Sequence, residues 1–130
     1  MNDSIEIFKI IEEDYEKALE KIIANLKVEG FGILTEIDVK ETFKKKLDVD
    51  FERYKILGAC NPPFAKKALD VDRSVGTLLP CNVYVQELGK NKTKISAINP
   101  SKMFEIIPSN ELEPIANEIK ERLTRAINTL

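Results

Sequence analysis

The chain has 130 residues, 43% of them apolar and 32% charged, with a formal net charge of -2 and an isoelectric point near 5.4. That suffices for one core without disulfide or metal staples, read here as a single domain over residues 1–130, and it offers no field to hold a polyanion, so no nucleic-acid partner is expected. Histidine is absent, which removes imidazole ligands and Ser-His or Cys-His nucleophilic pairs.

Ser4 to Ile10 alternates around Ile5 and Ile7 and reads as a first strand. Tyr15, Ala18, Leu19, Ile22, Ile23 and Leu26 then recur at helical spacing, with Asp14 as cap and Gly30 as a left-handed stop. Phe31 to Ile37 reads as a second strand, with Ile33, Thr35 and Ile37 on one face and Leu34, Glu36 and Asp38 on the other. Asp38-Val39-Lys40-Glu41 has capping-box spacing, and Val39, Phe43 and Leu47 repeat every fourth residue in a short, basic-faced helix. Phe51 to Cys60 is a third strand that places Tyr54, Ile56, Gly58 and Cys60 on one face before Asn61-Pro62-Pro63 ends the pairing. A brief helix over Phe64 to Leu69 follows, then a loop over Asp70 to Gly76.

Thr77 to Glu87 is the clearest strand, with Leu79, Cys81, Val83 and Val85 on the core side and Pro80, Asn82, Tyr84 and Gln86 on the other. A turn over Gly89 to Lys92 joins it to Thr93 to Ile98 as an antiparallel hairpin. Met103, Phe104, Ile106 and Ile107 form an apolar plug in a turn or short helix, and Leu112, Ile115, Ala116, Ile119, Leu123, Ala126 and Ile127 trace a C-terminal helix. The order β-α-β-α-β-(α)-β-β-α departs from strict alternation, so the expectation is an α+β fold: a mainly antiparallel sheet with helices on one face.

No apolar run approaches the roughly 18 residues needed to span a bilayer, and Met1-Asn2-Asp3-Ser4 lacks the basic and apolar regions of a secretory signal. A cytoplasmic protein without membrane partners is expected. In a reducing compartment its two cysteines are read as free thiols, their spacing matches no compact zinc pattern, and neither a glycine-rich phosphate loop nor G-x-G-x-x-G occurs. No metal site is therefore expected, and no cofactor can be assigned.

Three segments carry a resemblance: Gly30-Phe31-Gly32-Ile33-Leu34-Thr35-Glu36-Ile37-Asp38-Val39, then Ile56-Leu57-Gly58-Ala59-Cys60-Asn61-Pro62-Pro63, then Leu78-Leu79-Pro80-Cys81-Asn82-Val83. In that order they resemble domain-of-unknown-function family 302. The resemblance implies a small prokaryotic α+β domain with a layout similar to the TATA-binding-protein-like fold, commonly a homodimer, without an established activity.

Each cysteine is followed by asparagine and set beside proline. Cys60, at a strand end before a helix start, reads either as a thiolate nucleophile, sulfur carrier or soft-metal ligand, or as a small buried hydrophobe. Cys81 points to the core. Asn61 reads as a turn opener or ligand amide, whereas Asn82 faces solvent, a second subunit or a ligand, because an unpaired buried amide costs about 1 to 3 kcal/mol. Glu36 and Asp38 at two-residue spacing are a weaker acid-base pair, since Asp38 already caps a helix. Two functions follow from these residues. The first is a small-molecule-binding or assembly module, a homodimer with a site at Cys60, Asn61, Asn82 and Tyr84. The second is thiol chemistry at Cys60 and Cys81, as a redox pair, sulfur carrier or soft-metal site.

Overall fold

The computed structural model describes residues 4–130; Met1–Asp3, part of the segment read above for a secretory signal, lie outside the described residues. Five strands form one antiparallel sheet in the order β1-β5-β4-β3-β2: β1 is Glu6–Ile11, β2 Gly32–Asp38, β3 Tyr54–Cys60, β4 Cys81–Gly89 and β5 Lys92–Ile98. The helices are α1 (Tyr15–Val28), α2 (Val39–Leu47), α3 (Pro62–Val71), α4 (Pro100–Met103) and α5 (Leu112–Asn128), so the α+β reading holds.

Helices α1, α3 and α5 lie on one face of the sheet. Ile22 and Leu26 of α1 and Leu123 and Ile127 of α5 meet Leu57, Val83, Val85 and Ile95 of the central strands in one core, because an apolar residue every three or four helix positions faces every second strand position. Several helix ends carry the signals written in their sequence. The Asp14 carboxylate accepts from Lys17 N–H at 2.9 Å, and at the other end of α1 Gly30 turns at φ +90° while Phe31 N–H returns to Leu26 O at 2.9 Å. Asp38 accepts from Glu41 N–H at 2.9 Å, and Pro62 and Pro63 open α3. Lys9 Nζ donates to Asn128 O and Leu130 O, supplying a cation where the α5 carbonyls run out of partners.

Three local readings change. The pairing of β2 with β3 slips between Ile33 and Thr35, so Leu34 is an extra residue; Ile33 then shares a face with Glu36 and packs on the core, while Thr35 and Ile37 stay on the other face. The expected loop over residues 70–76 is instead the end of α3 and a 3-10 turn, Arg73–Thr77, begun by Asp72 accepting from Ser74 N–H at 2.8 Å. That turn delays β4 to Cys81 and leaves Pro80, after a cis peptide bond, just outside the strand. The apolar plug is a short helix, as expected: α4 followed by a 3-10 turn, Phe104–Ile106, with Phe104 buried. No helix among the described residues is long and apolar enough to cross a membrane.

Candidate functional site

Strand register decides where the two cysteine-asparagine segments go. Gly58 lies opposite Asn82 and Ala59 opposite Cys81. Ala59 and Cys81 therefore point with Leu57 and Val83 toward the helices, whereas Gly58 and Asn82 point to the uncovered face. Gly58 leaves that face room for its neighbours. A Cβ there would clash with Thr35 Oγ1 and lie 2.8 Å from Pro80 Cγ.

Cys60 is the last residue of β3, where the chain turns into α3, and it lines a cavity of about 20 Å³ together with Cys81, Asn61, Phe31, Leu79 and Ile119. Such a space holds about one water molecule and no larger ligand. Both thiols are free. Burial pushes the Cys60 thiol up, and burial together with the charge of a neighbouring Cys60 thiolate pushes Cys81 up to about 12. Both are therefore protonated near neutral pH, the opposite of what a nucleophilic or metal-binding cysteine requires. No group of three or more acidic or cysteine side chains suited to hold a metal ion stands together among the described residues.

Asn61 has a structural task. It is buried, and its Nδ2 donates to Glu29 O at 3.3 Å, the same carbonyl that receives Arg122 Nη1 at 3.1 Å. Glu29 caps the C-terminus of α1, so this amide ties the end of α1 to the start of α3. The packing is close: a Cβ on Gly30 would come within 3.0 Å of Asn61 Nδ2.

Asn82 and Tyr84 stand on the other side of the sheet. Asn82 is exposed; Tyr84 is half-buried between Ile56 of β3 and Ser96 of β5. Around Tyr84 lies a cluster that sequence reasoning missed. Tyr84 Oη donates to Glu6 Oε1 at 2.8 Å, Ser96 Oγ donates to the same oxygen at 2.6 Å, and Lys94 Nζ lies 3.3 Å from it. The Ser96 hydroxyl first, then Tyr84 and Lys94, hold the Glu6 carboxyl below the usual carboxylate range against the opposing pull of burial. Lys94 Nζ also sits 4.4 Å from the Phe8 ring centre, and Tyr54 stacks on Tyr84 at 5.0 Å and 11°. Phe51 and Phe43 extend the aromatic row at 6.3 Å and 5.1 Å toward α2. Period two places Glu6, Lys94, Ser96 and Tyr84 on matching faces, but only the pairing of β5 with both β1 and β4 makes them neighbours.

Cys60, Asn61 and Cys81 thus gather at a tight cavity on the helix side, while Asn82 and Tyr84 occupy the open face. The weaker acidic pair stays at the edge: Glu36 lies 3.4 Å from Lys55 Nζ, and Asp38 caps α2.

Residues 8–130 match the family described as domain of unknown function DUF302. The chain belongs to this family. A crystal structure of an uncharacterized conserved DUF302 protein from Bacillus stearothermophilus superimposes with a TM-score of 0.87 at 29% identity, covering 95% of this chain and 96% of that one. No protein of curated function matches. Membership in DUF302 accounts for the fold and leaves the activity open.

Proposed function

We propose that this DUF302 chain is an assembly module that forms a homodimer through the open face of its sheet. One observation carries the reading: α1, α3 and α5 cover one face, while the other presents Phe8, Ile10 and Ile37, each 46–49% exposed, beside the stacked Tyr54 and Tyr84. Exposed apolar and aromatic side chains of this extent, here flanking the Glu6-Lys94 ion pair, are a usual mark of a protein interface. The occupant of this face is a second copy. The dimer implied by the family resemblance favours it, and a twofold contact sets the same patch against itself. The Glu6-Tyr84-Ser96-Lys94 cluster would set the register, because sliding one face across the other would strand its polar groups against apolar rings. Asn82 lies on the same face and would contribute an amide to the contact.

Sedimentation velocity on the full chain from about 1 to 100 µM tests this, alongside the Phe8→Asp variant, whose site is exposed enough to leave the core intact. Wild type should run as a dimer and Phe8→Asp as a monomer with an unchanged circular dichroism spectrum. A monomer at every wild-type concentration, or a dimer indifferent to charge at Phe8, overturns the proposal.

A further inference from the structure

We propose that a second site, separate from the open sheet face, binds an amphiphilic carboxylate with one unbranched alkyl chain. The site is a groove of about 370 Å³ lined by Ile5, Leu78, Ile98, Lys102, Met103 and Ile106, a size within the usual range for small-molecule pockets. Three parts of the chain build it: the residue before β1, the end of β5 with the α4 strap, and the residue after the 3-10 turn at 73–77.

The backbone of its walls is tied together before any ligand arrives. The buried Asn99 donates through its backbone N–H to Ile5 O at 2.7 Å and through Nδ2 to Ser4 O at 3.1 Å, while its Oδ1 accepts from Ser101 N–H at 3.1 Å. One residue thus clamps the start of β1 to α4, so the backbone of the groove needs little ordering on binding. The strap is also pinned inward by Phe104, which leaves Ile106 turned out.

The lining specifies the ligand. Ile5 and Ile106 are 65% and 73% exposed, although both edge the same groove, so apolar surface stands ready to be covered. Five of the six lining side chains are aliphatic or thioether, none is aromatic, and Met103 can adapt to a flexible chain. The sixth, Lys102, is the one charged group in the lining. Its ammonium lies 3.4 Å from Glu105 Oε1 with both side chains partly in solvent, a loose pair that can exchange for a ligand carboxylate. An alkyl amine would have to displace that ammonium from Glu105, which lies outside the lining, and a neutral alkyl chain would leave it unused.

Calorimetric titration of the full chain with hexanoate, octanoate and decanoate, each below its micelle concentration, tests the site. Affinity should rise about fourfold per added methylene, the gain expected for burying each one. Decylamine should bind at least tenfold more weakly than decanoate. Lys102→Gln should remove the preference for decanoate over decanol, and Ile106→Ser should weaken all three acids while leaving the melting temperature within about 2 °C, since both side chains lie at the surface. The proposal is overturned by the absence of saturable decanoate binding, by equal affinity for decylamine, or by Lys102→Gln binding decanoate and decanol in the wild-type ratio. It is equally overturned if decanoate shifts the amide resonances of Phe8 and Tyr84 and leaves those of Ile5 and Ile106 unmoved.

Discussion

Replacing Gly58 by alanine should destabilise the protein, while the same change two pairs away on the neighbouring strand should not. Gly58 is buried at the centre of β3, and its new Cβ would collide with Thr35 Oγ1 and lie 2.8 Å from Pro80 Cγ. Thr35 is β-branched and held in the β2 ladder, and Pro80 is a ring, so neither yields by a simple rotamer change. Overpacking of this kind costs about 1–3 kcal/mol. Against it stands the loss of unfolded-chain freedom on replacing glycine, which favours alanine by about 0.4–1 kcal/mol. The net is a loss of about 1–2 kcal/mol, or about 4–7 °C in melting temperature at ~2.1 cal/mol/K per residue. Gly32, opposite Cys60, is the internal control: nothing lies within 4 Å of a Cβ built there, so Gly32→Ala should be neutral or slightly stabilising. Urea unfolding with linear extrapolation measures both, and Thr35→Ala combined with Gly58→Ala should recover at least about 0.5 kcal/mol relative to additivity. A Gly58→Ala protein as stable as wild type, or a double variant showing simple additivity, would refute the placement of Thr35 over Gly58.

Asn61→Ala should cost about 1 kcal/mol, near the low end for a buried hydrogen bond because Arg122 still serves the Glu29 carbonyl, while Asn82→Ala should change monomer stability by less than about 0.5 kcal/mol; thermal melts of the two variants decide which asparagine is structural. Glu6 is held below its unfolded pKa, so the stability it adds is present above about pH 4.3 and fades as pH falls through its lower folded value. The stability gap between wild type and Glu6→Gln should thus be constant above about pH 5.5 and narrow toward pH 3; a gap that widens there contradicts the reasoning. With both thiol pKa values raised, Cys60 should react with an aromatic disulfide reagent more slowly at pH 7 than free cysteine does, and Cys81 only after unfolding; a fast phase in the native protein would contradict this. Asp38→Ala should fray the first turn of α2, seen as faster amide exchange at Glu41, with little change in global stability because α2 has no buried residue.

The sequence was most legible where one period ran unbroken. Alternation in β4 placed Cys81, Val83 and Val85 in the core and Tyr84 outside it, and the spacing of Leu112, Ala116, Ile119, Leu123 and Ile127 marked the buried side of α5. It misled where a single residue broke the period. Leu34 occupies the β2 bulge, and nothing in Gly-Ile-Leu-Thr-Glu announces that two residues there oppose one. Thr77, Leu78 and Leu79 are good strand formers, yet the Asp72 cap at Ser74 draws their start into a 3-10 turn. The site was less accessible still. The amide of Asn61 finds its partner 32 residues earlier at Glu29, and Tyr84 finds Glu6 at a separation of 78, contacts that depend on which strands and helices become neighbours.

Register also explains why two segments that look alike in sequence do not act alike. In an antiparallel ladder, side chains share a face when their positions are directly paired or differ from a pair by two. With Gly58 opposite Asn82 and Ala59 opposite Cys81, Cys60 belongs to the set of Gly58 and Asn82, and Cys81 to the set of Ala59. A cross-strand cysteine pair would need the register moved by one residue, which would turn either Leu57 of β3 or Val83 and Val85 of β4 out of the core. Cys60 reaches the edge of the Cys81 cavity because β3 ends at that residue and the chain turns into α3. The motif therefore places a strand end and a helix start beside a core strand, and the same register that separates the thiols leaves Asn82 and Tyr84 together on the face available to a second copy.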